Sequence, residues 1–216
     1  MNSEFARQRM VDQQVRICDV HDHDVLSAMN RIDREHFAPA GFGHLAFADT
    51  EIPLAHGQAM LRPSTDGRVL QALDLDSDKS VLEIGTGSGY LTACLATLAG
   101  SVTTIDCYED FVDGAAGKLA DLGIDNVRLE CMDALHELPA GKFDAIAVTG
   151  AIPRPDPRLL ESLSPGGRMF VFVGESPVIS AELVIANDSS QWQATTLFET
   201  DLASLRNVRA TPEFLF

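Results

Sequence analysis

No two of the four cysteines in this 216-residue sequence, Cys18, Cys94, Cys107 and Cys131, form a CxxC pair. That spacing is what a zinc ribbon or a thioredoxin-like site needs, so neither metal binding nor thiol exchange has its usual vehicle. Cys94, Cys107 and Cys131 stand among apolar or strand-like neighbours and read as reduced core thiols. Also missing is any apolar run of the roughly 18–20 residues that a membrane span requires. The opening MNSEFARQRMVDQQVRICDV is too charged for a secretory signal, which makes the cytoplasm the expected location. Basic residues are scarce: 16 Lys and Arg face 32 Asp and Glu, for a net charge of −16. Nucleic-acid affinity draws heavily on basic groups set against phosphates, so that partner class is disfavoured. The acidity serves solubility.

What is present suffices for a real core. With 45% hydrophobic residues the chain is long enough for one α/β domain and a modest extension. Residues 4–30 read as helical, with Met10, Val11, Ile17, Val25, Leu26 and Met29 near one face. Asp19-Val20 and the HDHD run of 21–24 break that stretch in two. Four adjacent polar residues at such a break read as a solvated turn, and no metal site is assigned. Residues 31–53 read as a packed irregular segment. A loop over 54–65 then leads to a helix beginning at DGRVLQALDL.

From residue 80 strands and helices alternate. SVLEI, SVTTIDC, NVRLECMD, KFDAIAVTG and RMFVFVG read as strands, with helices over GTGSGYLTACLATLAG, EDFVDGAAGKLADLG and PDPRLLESLSPGG. The pattern predicts a Rossmann-like α/β fold: a mostly parallel sheet of about seven strands, helices on both faces, and an N-terminal helical cap. AELVIAND and WQATTLFE, joined by a turn at Ser189-Ser190, predict an antiparallel pair at one edge. Residues 1–65 form the cap and 66–216 the main domain. The C-terminal LASLRNVRATPEFLF is expected to wrap back through Phe214 and Phe216.

The chemistry concentrates in VLEIGTGSGY, residues 81–90. Glycines after a strand let the chain turn tightly and bring backbone N–H groups to a ligand at a helix N-terminus. A dinucleotide fingerprint, GxGxxG, needs a third glycine where Tyr90 stands; here it comes one residue early, at Gly89. A dehydrogenase is disfavoured on that spacing. Glu83 on the strand before the loop suits a cationic amino-acid arm better than a pyrophosphate. Asp106, ending the second strand, can accept both hydroxyls of a ribose. Asp133 after the third strand can receive an adenine amino group, and Thr149 closes the fourth at the same edge. The set fits a nucleoside with a positively charged amino-acid arm, which is S-adenosylmethionine.

The segment before the loop adds a specific resemblance. MVDQQVR (10–16), RIDREHF (31–37), AFAD (46–49), Ile52-Pro53-Leu54, His56-Gly57-Gln58, Pro63, VLEIGTGSGY, FDAIAVTGAIP (143–153) and LSPGGR (163–168) resemble the protein-L-isoaspartate O-methyltransferase family. The resemblance implies methyl transfer from S-adenosylmethionine to the carboxylate of L-isoaspartyl residues in damaged proteins. It implies a donor site built from Gln58, Met60, Glu83, Gly85, Thr86, Gly87, Gly89, Tyr90, Asp106, Cys107, Asp133, Ala134 and Thr149. The family pattern HGQTISQP carries a serine at the acceptor carboxylate; in this sequence Leu61 takes its place, and Arg62 follows. His56, Arg62, Ser64 and Thr65 are therefore the candidates for acceptor handling. Two other readings stay open: a relative methylating another protein or small-molecule acceptor, and a protein that binds the donor without turnover.

Overall fold

A computed structural model describes residues 3–187 and 191–208. The proposed Ser189-Ser190 turn and the packing of Phe214 and Phe216 lie outside those residues. Helix α1 (Ser3–Met10) runs into a π turn over Val11–Val15 and a 3₁₀ turn over Arg16–Cys18, ending at left-handed Asp19. The wider π turn shifts the inward face. Val15 is buried as a result, while Ile17, expected inside, is 74% exposed. The HDHD run opens α2 (His23–Arg31): the Asp22 carboxylate accepts from the N–H groups of Asp24 and Val25, a side-chain N-cap. Within the expected irregular segment, Asp33 caps a short α3 (Arg34–Phe37). Two small antiparallel strands follow, β1 (Ile52–Pro53) and β2 (Ala59–Met60).

Helix α4 spans Pro63–Leu73 and begins earlier than the sequence suggests. Pro63 stands in its first turn, where a missing N–H does no harm. Ser64 and Thr65 thus belong to a helix rather than a loop, and a boundary after residue 65 falls inside it.

The alternation from residue 80 then unrolls as expected. Strand β3 (Ser80–Ile84) precedes α5 (Tyr90–Leu98), β4 (Ser101–Asp106), α6 (Glu109–Asp121), β5 (Val127–Cys131) and β6 (Phe143–Ile152). After α7 (Pro157–Glu161) come β7 (Leu163–Glu175), β8 (Val178–Ala186) and β9 (Trp192–Thr200). The seven-stranded sheet has the order β5-β4-β3-β6-β7-β8-β9. Strands β3 to β7 pair in parallel, and β8 and β9 add antiparallel at one edge.

Alternate residues of β7 divide the core, as the two-residue period of a strand requires. Phe170 and Phe172 pack with α4, α5 and the N-terminal segment; Met169 and Val171 pack on the other face with Leu159 of α7. Cys94 is buried as expected, but Cys131, at the end of edge strand β5, is exposed. The order in which successive strands are added reverses at β3, whose parallel neighbours are β4 and β6. Ligands of open α/β sheets bind beyond the carboxyl ends of the strands at such a point.

Candidate active site

The turn after β3 holds Gly85 at φ +100° and Gly87 at φ +50°, left-handed values that glycine adopts without strain. A side chain at Gly85 would place its Cβ 2.2 Å from the Thr149 hydroxyl. Thr149 is fixed there, because its single Oγ1–H is shared between the carbonyls of Ile84 (2.9 Å) and Gly85 (3.0 Å). The turn and the end of β6 are thereby held in contact. Gly89, at φ +86°, serves packing instead: a Cβ would lie 2.9 Å from that of Ala115 on α6.

A cleft opens along this edge in joined compartments. One, lined by Ile84, Ile105, Met132, Ala134, Leu135 and Leu205 with Asp106 and Asp133 at its rim, is a mostly apolar slot between the ends of β4 and β5. The next, with about 450 Å³ of open space, carries Gln58, Gly85, Asp106, Cys107, Tyr108, Thr149 and Arg206 on its walls. A third lies against Met60, Leu61, Asp66, Thr86, Gly87 and Tyr90. A fourth is bounded by Glu51, Gln58, Leu61, Thr149 and Leu202.

Asp106 accepts from the Gly87 N–H (2.9 Å) on one oxygen and the Tyr108 N–H (3.1 Å) on the other. Burial raises its pKa against these bonds. Each oxygen keeps a further lone pair for a hydroxyl. Asp133 accepts from the side chain of Asn207 at 2.6 Å and lies 3.1 Å from the His136 ring. Burial opposes its ionisation, but the bonds from Asn207 and the Leu135 N–H, with His136, lower its pKa overall.

The model of the family described as protein-L-isoaspartate(D-aspartate) O-methyltransferase matches residues 6–201. This chain belongs to that family. A protein-L-isoaspartate O-methyltransferase 1 of Nitrosospira multiformis is 40% identical over 173 residues, covering 80% of this chain and 73% of its own. One from Brucella anthropi is 36% identical over 88% of both chains. In fold, the chain is similar to a Plasmodium falciparum putative protein-L-isoaspartate O-methyltransferase solved with S-adenosyl-L-homocysteine. The TM-score is 0.82 at 20% identity, covering 93% of this chain and 98% of the other. The family's enzymes are S-adenosylmethionine-dependent methyltransferases.

In this methyltransferase several residues singled out in the sequence stand elsewhere than expected. His56 does not line the cleft. Its Nε2 lies 3.0 Å from Asp110, and its ring stacks on Tyr108 at 3.9 Å, so it pins the 54–60 segment to α6. Arg62 is more than half exposed and 3.9 Å from Glu51. The Ser64 N–H donates to Asp49 in the first turn of α4, and neither Ser64 nor Thr65 borders the compartments. Glu83 has no exposed surface. Its Oε2 accepts from Thr92 (2.5 Å) and Thr104 (2.7 Å), its Oε1 is buried with no hydrogen-bond partner among the described residues, and Glu83 lines none of these compartments. Gln58, Met60, Thr86, Tyr90, Cys107, Ala134 and Thr149 do border the cleft.

Sequence reasoning missed a buried ion pair at its wall. Arg34, fully buried, reaches Asp66 with Nη1 at 2.5 Å and the Leu61 carbonyl with Nη2, and lies 4.6 Å over the Tyr90 ring. The partners are 32 residues apart in the chain, and no local pattern announces them. Leu205 and Arg206, in the segment after β9, were also missed. That segment crosses the cleft through the bonds Ala151 N–H to Ala203 and Leu205 N–H to Ala151.

Two buried carboxyls make stability fall as pH rises. Burial pushes Glu83 up to about 8 despite the two threonine hydroxyls, and Asp66 up to about 7 despite Arg34. Well below pH 4 both are protonated whether the chain is folded or not. Above it the unfolded chain releases these protons first, so folding loses up to about 1.4 kcal/mol per pH unit per group until the folded pKa is passed. The melting temperature is therefore expected to be higher at pH 5.5 than at pH 8. Glu83→Gln should flatten this difference, separating its share from the relief of overall negative charge. Equal slopes in the two proteins would refute the assignment.

Proposed function

We propose that this chain methylates the side-chain carboxylate of L-isoaspartyl residues in damaged proteins, with S-adenosylmethionine as donor. The observation carrying the reading is the glycine cradle between β3 and β6, flanked by the Asp106 carboxylate and by an apolar slot at the end of β5. The absence of a Cβ at Gly85 lets the turn close on Thr149 while Gly85 and Gly87 stay on the cleft wall. Asp106 would hold the ribose hydroxyls, and the slot between Ile105, Met132 and Leu135 would take the adenine. When bound, the donor supplies a methyl group already activated by its sulfonium.

The chain then has little chemistry to perform. An acceptor carboxylate is ionised at neutral pH and needs no general base, so positioning and exclusion of water carry the rate. Residues Gln58, Ala59, Leu61 and Leu202 would shape the acceptor's entry, with the Gln58 amide as an uncharged donor beside acidic Glu51. Leucine at 61 offers no hydrogen bond where the family pattern has serine. Its backbone carbonyl, held by Arg34, keeps the wall in place instead.

The test is methyl transfer from labelled S-adenosylmethionine to an isoaspartyl peptide beside its normal aspartyl counterpart. Base-labile label on the isoaspartyl peptide alone is expected. Label on neither peptide, with donor binding intact, defeats the acceptor assignment and favours a relative with another substrate.

A further inference from the structure

The cationic arm of a sulfonium donor calls for an anion, and the acid the sequence points to is out of reach. Glu83 is sealed beneath the glycine turn, with one oxygen between two threonine hydroxyls. In the compartment beside Thr86, Gly87 and Ser88, the charged residue on the wall is Asp66. It projects from the first turn of α4. Its Oδ2 takes the contact from Arg34 at 2.5 Å, and Oδ1 has no protein donor among the described residues.

A carboxylate alone in such surroundings would take up a proton rather than stay charged. Arg34 stands behind Asp66 and opposes that. The guanidinium is itself fixed, by the Leu61 carbonyl and by the face of Tyr90. With Asp66 ionised the pair is neutral as a unit, and a second cation on its open side, with no repulsive residue between them, favours that ionised form. A carboxylate has about four acceptor positions, enough for both partners. Helix α5 begins on the same compartment with Tyr90 and Leu91, and its N-terminus has no side-chain cap. Its first N–H groups carry the positive end of the helix dipole, which suits the carboxylate of the same amino-acid arm.

We propose that Asp66, positioned by Arg34, binds the α-ammonium of S-adenosylmethionine and so selects donors with an intact amino-acid arm. The inference rests on the methyl-donor reading above. Asp66 touches the ligand; Arg34 acts only through Asp66 and the Leu61 carbonyl.

The test compares S-adenosylhomocysteine with its analogue in which the α-amine is replaced by hydrogen, each titrated calorimetrically into the full chain. Wild type should prefer the amine-bearing ligand by about tenfold to a hundredfold, the worth of a hydrogen bond between charged groups. Asp66→Asn, with its fold confirmed by circular dichroism, should reduce that preference below about threefold. A role confined to holding the fold would weaken both ligands together and leave the ratio alone. An unchanged ratio in Asp66→Asn, or a wild-type ratio near one, overturns the proposal while leaving the donor reading intact. Failure of the folded wild type to bind S-adenosylhomocysteine overturns that reading and the proposal together. Should Asp66→Asn not fold, the double variant Arg34→Met, Asp66→Leu removes both buried charges and carries the same comparison.

Discussion

Arg34→Met is expected to lower the free energy of unfolding by about 3–5 kcal/mol, the usual penalty for stranding one member of a buried ion pair. Arg34 has no exposed surface, and Asp66 is 2% exposed, so water cannot replace the missing guanidinium. The Leu61 carbonyl loses its donor as well. Adding Asp66→Leu to the same protein should restore most of the loss, because two apolar side chains of similar volume avoid the desolvation of both charges. Urea melts of the single and double variants check this. A double variant no more stable than Arg34→Met would mean that packing around Tyr90, rather than charge, governs the site.

Gly85→Ala should cut affinity for S-adenosylhomocysteine at least about tenfold, through a backbone conformation unfavourable to alanine and a collision with Thr149. At φ +100° an L residue is strained before any neighbour is considered. The added methyl would also lie 2.2 Å from an oxygen that two carbonyls hold in place. The turn must then move, carrying Gly87 and its bond to Asp106 with it. Thr149→Ala added to Gly85→Ala should recover the part of the loss due to collision and leave the part due to φ. Calorimetry of the three proteins separates the two. Full affinity in Gly85→Ala would show that the cradle tolerates a side chain and is not a binding surface.

The parallel sheet was legible because its signals are local. Short apolar runs at 80–84, 143–148 and 169–173, separated by helical patterns, allow few arrangements other than strands covered on both faces, whereas residues 163–167, read with the helix before them, belong to β7. The start of α4 was not legible, since Pro63 with serine and threonine after it resembles a loop. Only the φ value that proline shares with a first helical turn reconciles the two. His56 looked free in the sequence, flanked by alanine and glycine. Its partners Tyr108 and Asp110 come from the far end of a βα unit, some fifty residues on.

By itself the sequence determined the turn chemistry and the strand-end acid. Gly85, Gly87 and Asp106 line the cleft because each is tied to a strand end, and strand ends follow from periodicity. Only the tertiary structure decided which carboxylate faces the cleft beyond the turn. Glu83 and Asp66 are both acids near the loop in the folded chain. Thr92 and Thr104 close over the first, while Arg34, distant in sequence, supports the second from behind. The energy of a buried charge is set by the groups that surround it, and those groups come together only when the chain is folded.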